Sequence, residues 1–261
     1  MPARRSGFRS FRSALPSRSM PSSKSAADPL FAGAAGFAHR GLHGTAVPEN
    51  SMAAFQAAID ADVGIECDLR LSRDGFAMVF HDHSLKRLCG IDIETESLHA
   101  AALMRCQLDN SDQQIPWLGD LLAIVAGKVP LLLELKRQGG CAPIDHLCAA
   151  TLKTLCGYRG PVGVMSFDPR ASTWFARHAP DLQRGLVIAD RLSTLKRWGA
   201  MMDATPHFLA IDRAALGRPW VARARRWRPV ASWTIRSGTE REAAQPLADT
   251  LIWEADGRPR R

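Results

Sequence analysis

Nine short apolar or alternating runs punctuate this chain, at residues 36–39, 65–71, 76–81, 130–135, 161–166, 184–188, 208–211, 230–234 and 249–253, and all but one of the gaps between them can hold a helix. That alternation is the pattern of an α/β chain with parallel strands, because a parallel connection needs a crossover segment whereas an antiparallel one does not. The exception is Ser72-Arg73-Asp74-Gly75, a turn too short for any crossover, so the second and third runs must form an antiparallel hairpin. Eight runs remain, linked by helix-compatible segments such as 51–61, 118–126, 144–155, 169–178, 192–202 and 219–226. Eight such units build a TIM (β/α)8 barrel, which takes roughly 250 residues, and residues 31–261 supply that length as one domain. A doubly wound open sheet is the alternative, but neither G-x-G-x-x-G nor G-x-x-x-x-G-K follows the first run. Residues 88–117 are long for a single connection and are expected to form a small inserted subdomain over the barrel mouth.

Side-chain alternation sorts the charged residues within these runs. Glu66 and Asp68 share one strand face while Ile65, Cys67 and Leu69 share the other, and Glu134 and Lys136 project together in the same way. If Leu71 pairs with Phe76 across the hairpin turn, Glu66 faces His81 and Asp68 faces Val79.

Carboxylates in runs this apolar need compensating charge. A divalent cation on Glu66, Asp68 and Glu134 supplies it, and all-oxygen ligation suits calcium or magnesium better than zinc. A barrel-interior ion pair of Glu134 with Lys136 or Arg70 is the structural alternative. His39 and His81 each end an apolar run. Singly either reads as a core histidine, but together they can take a proton from a nucleophile and deliver one to a leaving oxygen. Arg40 and Lys136 can hold non-bridging phosphoryl oxygens, one as a fork and one as a point charge. Trp233, in the eighth parallel run's predecessor at the rim, can wall a substrate headgroup. The parts are those of metal-assisted phosphodiester hydrolysis. His81-Asp82-His83 also contains an H-x-H, but the chain lacks the further nitrogen ligands of a zinc site. In Pro48-Glu49-Asn50-Ser51 either Asn50 or Ser51 is expected to cap the following helix, with Glu49 behind the site.

The formal charge of +8 raises the question of a nucleic-acid partner, but residues 1–27 hold six cations and no acid, leaving +2 for the rest. That basic, serine-rich stretch, residues 1–30 with its boundary, is expected to be a disordered extension. It has no apolar run of the secretory kind before the first motif, and the run 30–38 leads directly into His39, which favours a structural role. The arginine-rich stretch Trp220–Arg228 has no accompanying nucleic-acid motif and is expected to be a solvated helix face, so no nucleic-acid partner is expected. Six cysteines form no C-x-x-C pair, and Cys141, His146 and Cys148 lack a second paired motif, so free thiols in a reduced, cytoplasmic protein are expected. No window of about 18 apolar residues exists, so no transmembrane segment is expected. The oligomeric state is not legible.

In order along the chain, Phe37-Ala38-His39-Arg40-Gly41, Pro48-Glu49-Asn50-Ser51, Glu66-x-Asp68, Asp74-Gly75, His81-Asp82, Leu85-x-Arg87, Glu134-x-Lys136, Ser166-Phe167 and Trp233-Thr234 resemble the glycerophosphodiester phosphodiesterase family, from about Phe37 to Ile235. The resemblance implies a TIM barrel with an inserted subdomain, calcium or magnesium on Glu66, Asp68 and Glu134, acid/base roles for His39 and His81, and phosphate contacts from Arg40 and Lys136. It implies a small glycerophosphodiester as substrate, cleaved to sn-glycerol 3-phosphate and an alcohol. The rival readings are a phospholipase D-like enzyme acting on intact lipid and a non-catalytic phosphodiester-binding protein. Two positions depart from the family pattern. The last run ends Leu251-Ile252-Trp253-Glu254 where the family has an Ile-Ile-Thr-Asp-like strand, and Arg236 replaces a frequent Asn, which suggests a positive contact for an acidic headgroup.

Overall fold

The computed structural model describes Leu30 and residues 35–137, 144–191 and 193–259. The expected extension lies outside the described residues except for Leu30, as does Cys141. The strands are β1 (Phe37–His39), β2 (Gly64–Leu71), β3 (Ala77–Val79), β4 (Leu131–Leu135), β5 (Val162–Ser166), β6 (Gln183–Ile188), β7 (Phe208–Asp212), β8 (Val230–Ile235) and β9 (Thr250–Trp253). Eight of them pair in parallel in the order β1-β2-β4-β5-β6-β7-β8-β9, and β9 returns to β1, closing the barrel. Helices α1 (Met52–Asp60), α2 (Lys86–Cys89), α3 (Ala100–Leu103), α4 (Leu118–Val125), α5 (Ile144–Thr154), α6 (Pro169–His178), α7 (Thr194–Ala204), α8 (Pro219–Arg225) and α9 (Gly238–Ala244) lie between the strands. The chain is thus the TIM barrel that the run count predicts.

The strands are buried on both faces, so their alternation separates two apolar environments rather than core from solvent. Ile65, Cys67, Leu69, Leu131, Leu133 and Leu135 point outward into the layer between sheet and helices. Inside the barrel, Phe37, Leu132, Met165, Val187, Phe208 and Ile252 pack with Leu30 into a separate plug. From the apolar run before His39, Leu30 and Phe37 pack in this plug and are buried, while residues 31–34 lie outside the described residues. Glu66, Asp68 and Glu134 share the inward parity of Leu132; Glu66 is level with Leu132 in register, and Asp68 and Glu134 lie two residues further along their strands. Apolar side chains therefore fill one end of the interior and charges the other.

Phe208 anchors the plug. It is register-paired with Gly185 on β6, and a Cβ at Gly185 would collide with the Phe208 ring. Phe208→Ala should lower the unfolding free energy by about 3–5 kcal/mol, read from urea denaturation, because the surrounding barrel cannot collapse onto the void.

The hairpin differs from expectation by one residue. Leu71 pairs with Ala77 and Leu69 with Val79, because Ser72 N–H donates to the Phe76 carbonyl at 2.9 Å and the turn closes through Gly75 at φ +85°. A three-residue loop with a left-handed glycine replaces the four-residue turn. Asp68 accordingly lies opposite Phe80, whose N–H donates to its carbonyl at 3.0 Å, and His81 falls beyond the end of β3 rather than opposite Glu66. Between β3 and α4, Phe80, Leu85, Leu103, Leu108 and Ile115 make their own apolar cluster around α2 and α3.

Candidate active site

Parallel register builds the site. His39 is paired with Glu66 across β1 and β2, and Asp68 with Glu134 across β2 and β4. The ligand oxygens of Glu66, Asp68 and Glu134 all lie within 4.8 Å of one another, and all three residues are buried. Lys136 follows β4 and bridges two of them, with Nζ 2.9 Å from Asp68 and in contact with Glu134. Arg40, at φ +57° just after β1, donates its backbone N–H to Glu66 at 3.1 Å and brings Nε to 3.0 Å from Asp68. Its Nη1 donates to Glu49 at 2.6 Å.

Each imidazole is backed by a carboxylate that an arginine holds. His81 Nδ1 is 2.6 Å from Asp82, whose other oxygen accepts from Arg87 Nε at 2.6 Å. Arg87 also grips Glu49 through both terminal nitrogens, joining this arm to Arg40. On the other side His39 Nδ1 is 2.5 Å from Glu254 Oε2, and Arg236 Nε donates to Glu254 Oε1 at 2.6 Å. His39 Nε2 lies 4.0 Å from Glu66. Asp82 and Glu254 are both held below the ordinary carboxylate range. Burial works against this in each, and the hydrogen bonds from Arg87 and His81, or from His39, His43 and Arg236, outweigh it. An ionised carboxylate can only accept, so Nδ1 carries the proton in both rings and a neutral imidazole presents a bare Nε2.

The electrostatics at the centre are unbalanced. Burial pushes Glu66 well above the usual glutamate range, and the neighbouring Asp68 and Glu134 push it further. Glu134 is raised, first by burial and also by Asp68, against Lys136. Asp68 is lowered: burial would raise it, but Lys136 and Arg40 prevail. Lys136 holds its proton more tightly than usual, since Asp68 and Glu134 overcome its burial. Three buried carboxylates thus face two cations, and Glu66 receives only the weaker help of a backbone N–H and more distant charge. This hard-oxygen donor set fits a divalent cation. Two other groups have metal-ligand types, His39–His43–Glu254 and His83–Glu94–Glu96. The second draws His83 to the rim glutamates, at 3.2 and 2.7 Å, and away from the H-x-H pairing with His81.

Trp233, on β8, packs edge-on against Phe167 at 5.5 Å, and Lys136 Nζ lies 6.0 Å from the Phe167 ring. The helix cap is Ser51, whose Oγ accepts from Ala54 N–H at 3.1 Å. Asn50 does something else: at φ +55° it donates Nδ2 to Asp68 at 3.0 Å and fixes that carboxylate. Arg236, expected to offer a positive contact to a headgroup, gives its Nε to Glu254 while its side chain stays 57% exposed. Glu254 itself was not singled out by sequence reasoning, although an acid directly after an apolar strand, at the end of a barrel where sites form, was a usable signal. Arg70 pairs with none of the three acids of the centre; it donates to the His81 carbonyl and to Glu96, each at 2.7 Å. His146 is exposed and Cys148 buried on α5, so they do not converge.

A closed parallel barrel with buried acids, imidazoles and cations at one end is the architecture of a barrel hydrolase. The comparisons narrow the class. Residues 39–245 match the glycerophosphoryl diester phosphodiesterase family, and the chain belongs to that family. It is 29% identical over 187 residues to the Bacillus subtilis protein YqiK, spanning 67% of this chain and 75% of that one. It is 31% identical over 107 residues to a Bacillus altitudinis glycerophosphodiester phosphodiesterase, spanning 38% of this chain and 43% of that one. An Oleispira antarctica phosphodiesterase, solved with the product sn-glycerol-3-phosphate, superposes with a TM-score of 0.75 at 21% identity, covering 85% of this chain and 92% of that one.

Proposed function

We propose that the chain hydrolyses small glycerophosphodiesters to sn-glycerol 3-phosphate and an alcohol, with a calcium or magnesium ion held by Glu66, Asp68 and Glu134. The observation that carries this reading is the register-built cluster of three buried acids next to carboxylate-backed His39. When bound, such an ion supplies charge stabilisation for a phosphoryl oxygen. The chain's own groups supply the remainder. Arg40 and Lys136 bind non-bridging oxygens and orient the diester. His39 and His81, each with Nδ1–H fixed on a carboxylate, exchange protons at Nε2, one with the nucleophile and one with the departing alkoxide. Phe167 and Trp233 wall the headgroup side and limit water there. Residues 31–261 act as one catalytic domain, with 88–117 as its inserted subdomain. The deciding assay is release of sn-glycerol 3-phosphate from glycerophosphocholine and glycerophosphoethanolamine. Activity should vanish in EDTA and return with calcium or magnesium; turnover indifferent to chelator would refute the metal assignment.

Glu254 acts through His39 and is a positioning residue. Glu254→Gln should lower kcat by about 10- to 100-fold with KM little changed, since the amide no longer fixes the ring's proton on Nδ1. Glu254→Asp should keep more of the rate. Equal losses in both variants, carried by KM, would speak for a purely structural role.

A second reading, action on intact lipid, draws support from Phe167, an apolar side chain left 45% exposed beside Trp233. Release of a lysophosphatidic acid from lysophosphatidylcholine at a rate matching glycerophosphocholine would favour it.

A further inference from the structure

Positive charge in the folded chain is concentrated on one side of the barrel. Residues 191–228 contain nine Lys and Arg against only Asp203 and Asp212. Among the described residues, Asp190 pairs with Arg218, Asp249 with Arg225 and Glu240 with Arg213. Arg223 and Arg226 are exposed and form no ion pair among the described residues.

The same segment carries the exposed apolar surface. Leu195 is 86% exposed, Trp198 65%, Met202 60% and Trp227 79%, whereas no other large apolar side chain among the described residues exceeds 45%. On α7, Leu195, Trp198 and Met202 follow the three- and four-residue spacing of a single helix face. Ala200, Met201 and Ala204 of the same helix pack against the barrel. The helix is therefore apolar on two opposite sides, and only one of them is satisfied by the fold. Helix α8 is tied to it by the Arg197 guanidinium, 4.1 Å above the Trp220 ring.

We infer that the α7–α8 face docks on an anionic lipid bilayer. Aliphatic and indole side chains enter the boundary between headgroups and acyl chains while flanking arginines meet lipid phosphates, the arrangement of an interfacial helix. Charge complementarity singles out this occupant. A second copy would bring the same positive face, and residues 1–27, with six cations and no acid, have the wrong sign to cover it. Nucleic acid could engage the arginines and stack on Trp198 and Trp227, but it would leave the aliphatic Leu195 and Met202 without an apolar partner.

Co-sedimentation of the full chain with vesicles of phosphatidylcholine, alone or mixed with phosphatidylglycerol, tests the inference. The protein should pellet with the mixed vesicles and stay in solution with phosphatidylcholine alone. Combining Leu195→Ser, Trp198→Ser and Met202→Ser should weaken the partitioning by at least ~10-fold. The pair Arg223→Glu and Arg226→Glu should weaken it roughly 10- to 100-fold. Both variants alter exposed side chains, and unchanged far-UV dichroism and thermal unfolding would establish that they fold. Three results would overturn the inference: no binding to the mixed vesicles, full binding by both variants, which would assign adhesion to the amino-terminal stretch, or a self-association in sedimentation velocity that the triple substitution abolishes. Tight binding of duplex DNA that the apolar substitutions leave untouched, with no vesicle binding, would equally overturn it.

Discussion

His39→Gln and His81→Gln should each lower kcat for glycerophosphocholine by about 10²- to 10⁴-fold, the range for losing a positioned acid or base. The two losses should differ in how they respond to the leaving group. His81 is held below the ordinary imidazole value, first by its burial and then by Lys136 and Arg40, against the opposing pull of Asp68. A cation nearby lowers it further. His81 is therefore neutral at pH 7, with Nδ1–H on Asp82 and Nε2 free to accept a proton. In the proposed mechanism that state serves as the base, and His39 is assigned the protonation of the alkoxide. A glycerophosphodiester with a p-nitrophenol leaving group needs no such protonation. On that substrate His39→Gln should recover most of the lost rate and His81→Gln should not. Recovery by His81→Gln alone would exchange the two roles, and recovery by neither would remove acid catalysis from both residues.

The sequence pattern carried the barrel because both of its signals are local: apolar runs of strand length, and gaps sized for a crossover. Inward placement of Glu66, Asp68 and Glu134 was equally legible, since parity along a strand needs no knowledge of the partner strand. Register was not. One residue of turn geometry, decided by Ser72 pairing with Phe76 and Gly75 taking a left-handed φ, moved His81 off the strand pair and made Asp68 rather than Glu66 the acid whose charge acts on it. Glu254 behind His39 and the Arg87 grip on Glu49 were hidden for another reason. Glu254 lies 215 residues from His39, and the Arg87–Glu49 contact spans 38; such pairs exist only once the barrel closes. Residue type alone could not choose between Asn50 and Ser51, since both favour a helix cap; Ser51 takes that role and Asn50 turns to Asp68.

Glu66→Gln should separate stability from function. Its carboxyl is buried between Asp68 and Glu134 and holds its proton to higher pH in the metal-free fold than in the unfolded chain, where it titrates in the ordinary glutamate range. A folded-state pKa above the unfolded one means that the fold binds more protons across the interval between them, so stability contributed at this site falls as pH rises through that interval. Glutamine has nothing to ionise and removes that decline. In EDTA the variant should therefore unfold at a higher temperature than the parent at pH 7, with the difference shrinking as pH is lowered below the ordinary glutamate range. Calcium or magnesium should reverse the order. Binding displaces the Glu66 proton and stabilises only the protein that can ligate the ion, so the parent should gain thermal stability and the variant little. Loss of the ion's stabilisation of phosphoryl charge, worth several kcal/mol, should lower kcat/KM by about 10²-fold or more. A metal-free variant less stable than the parent, or one that gains as much from the ion, would mean that Glu66 is compensated within the fold and that no cation sits among these three acids.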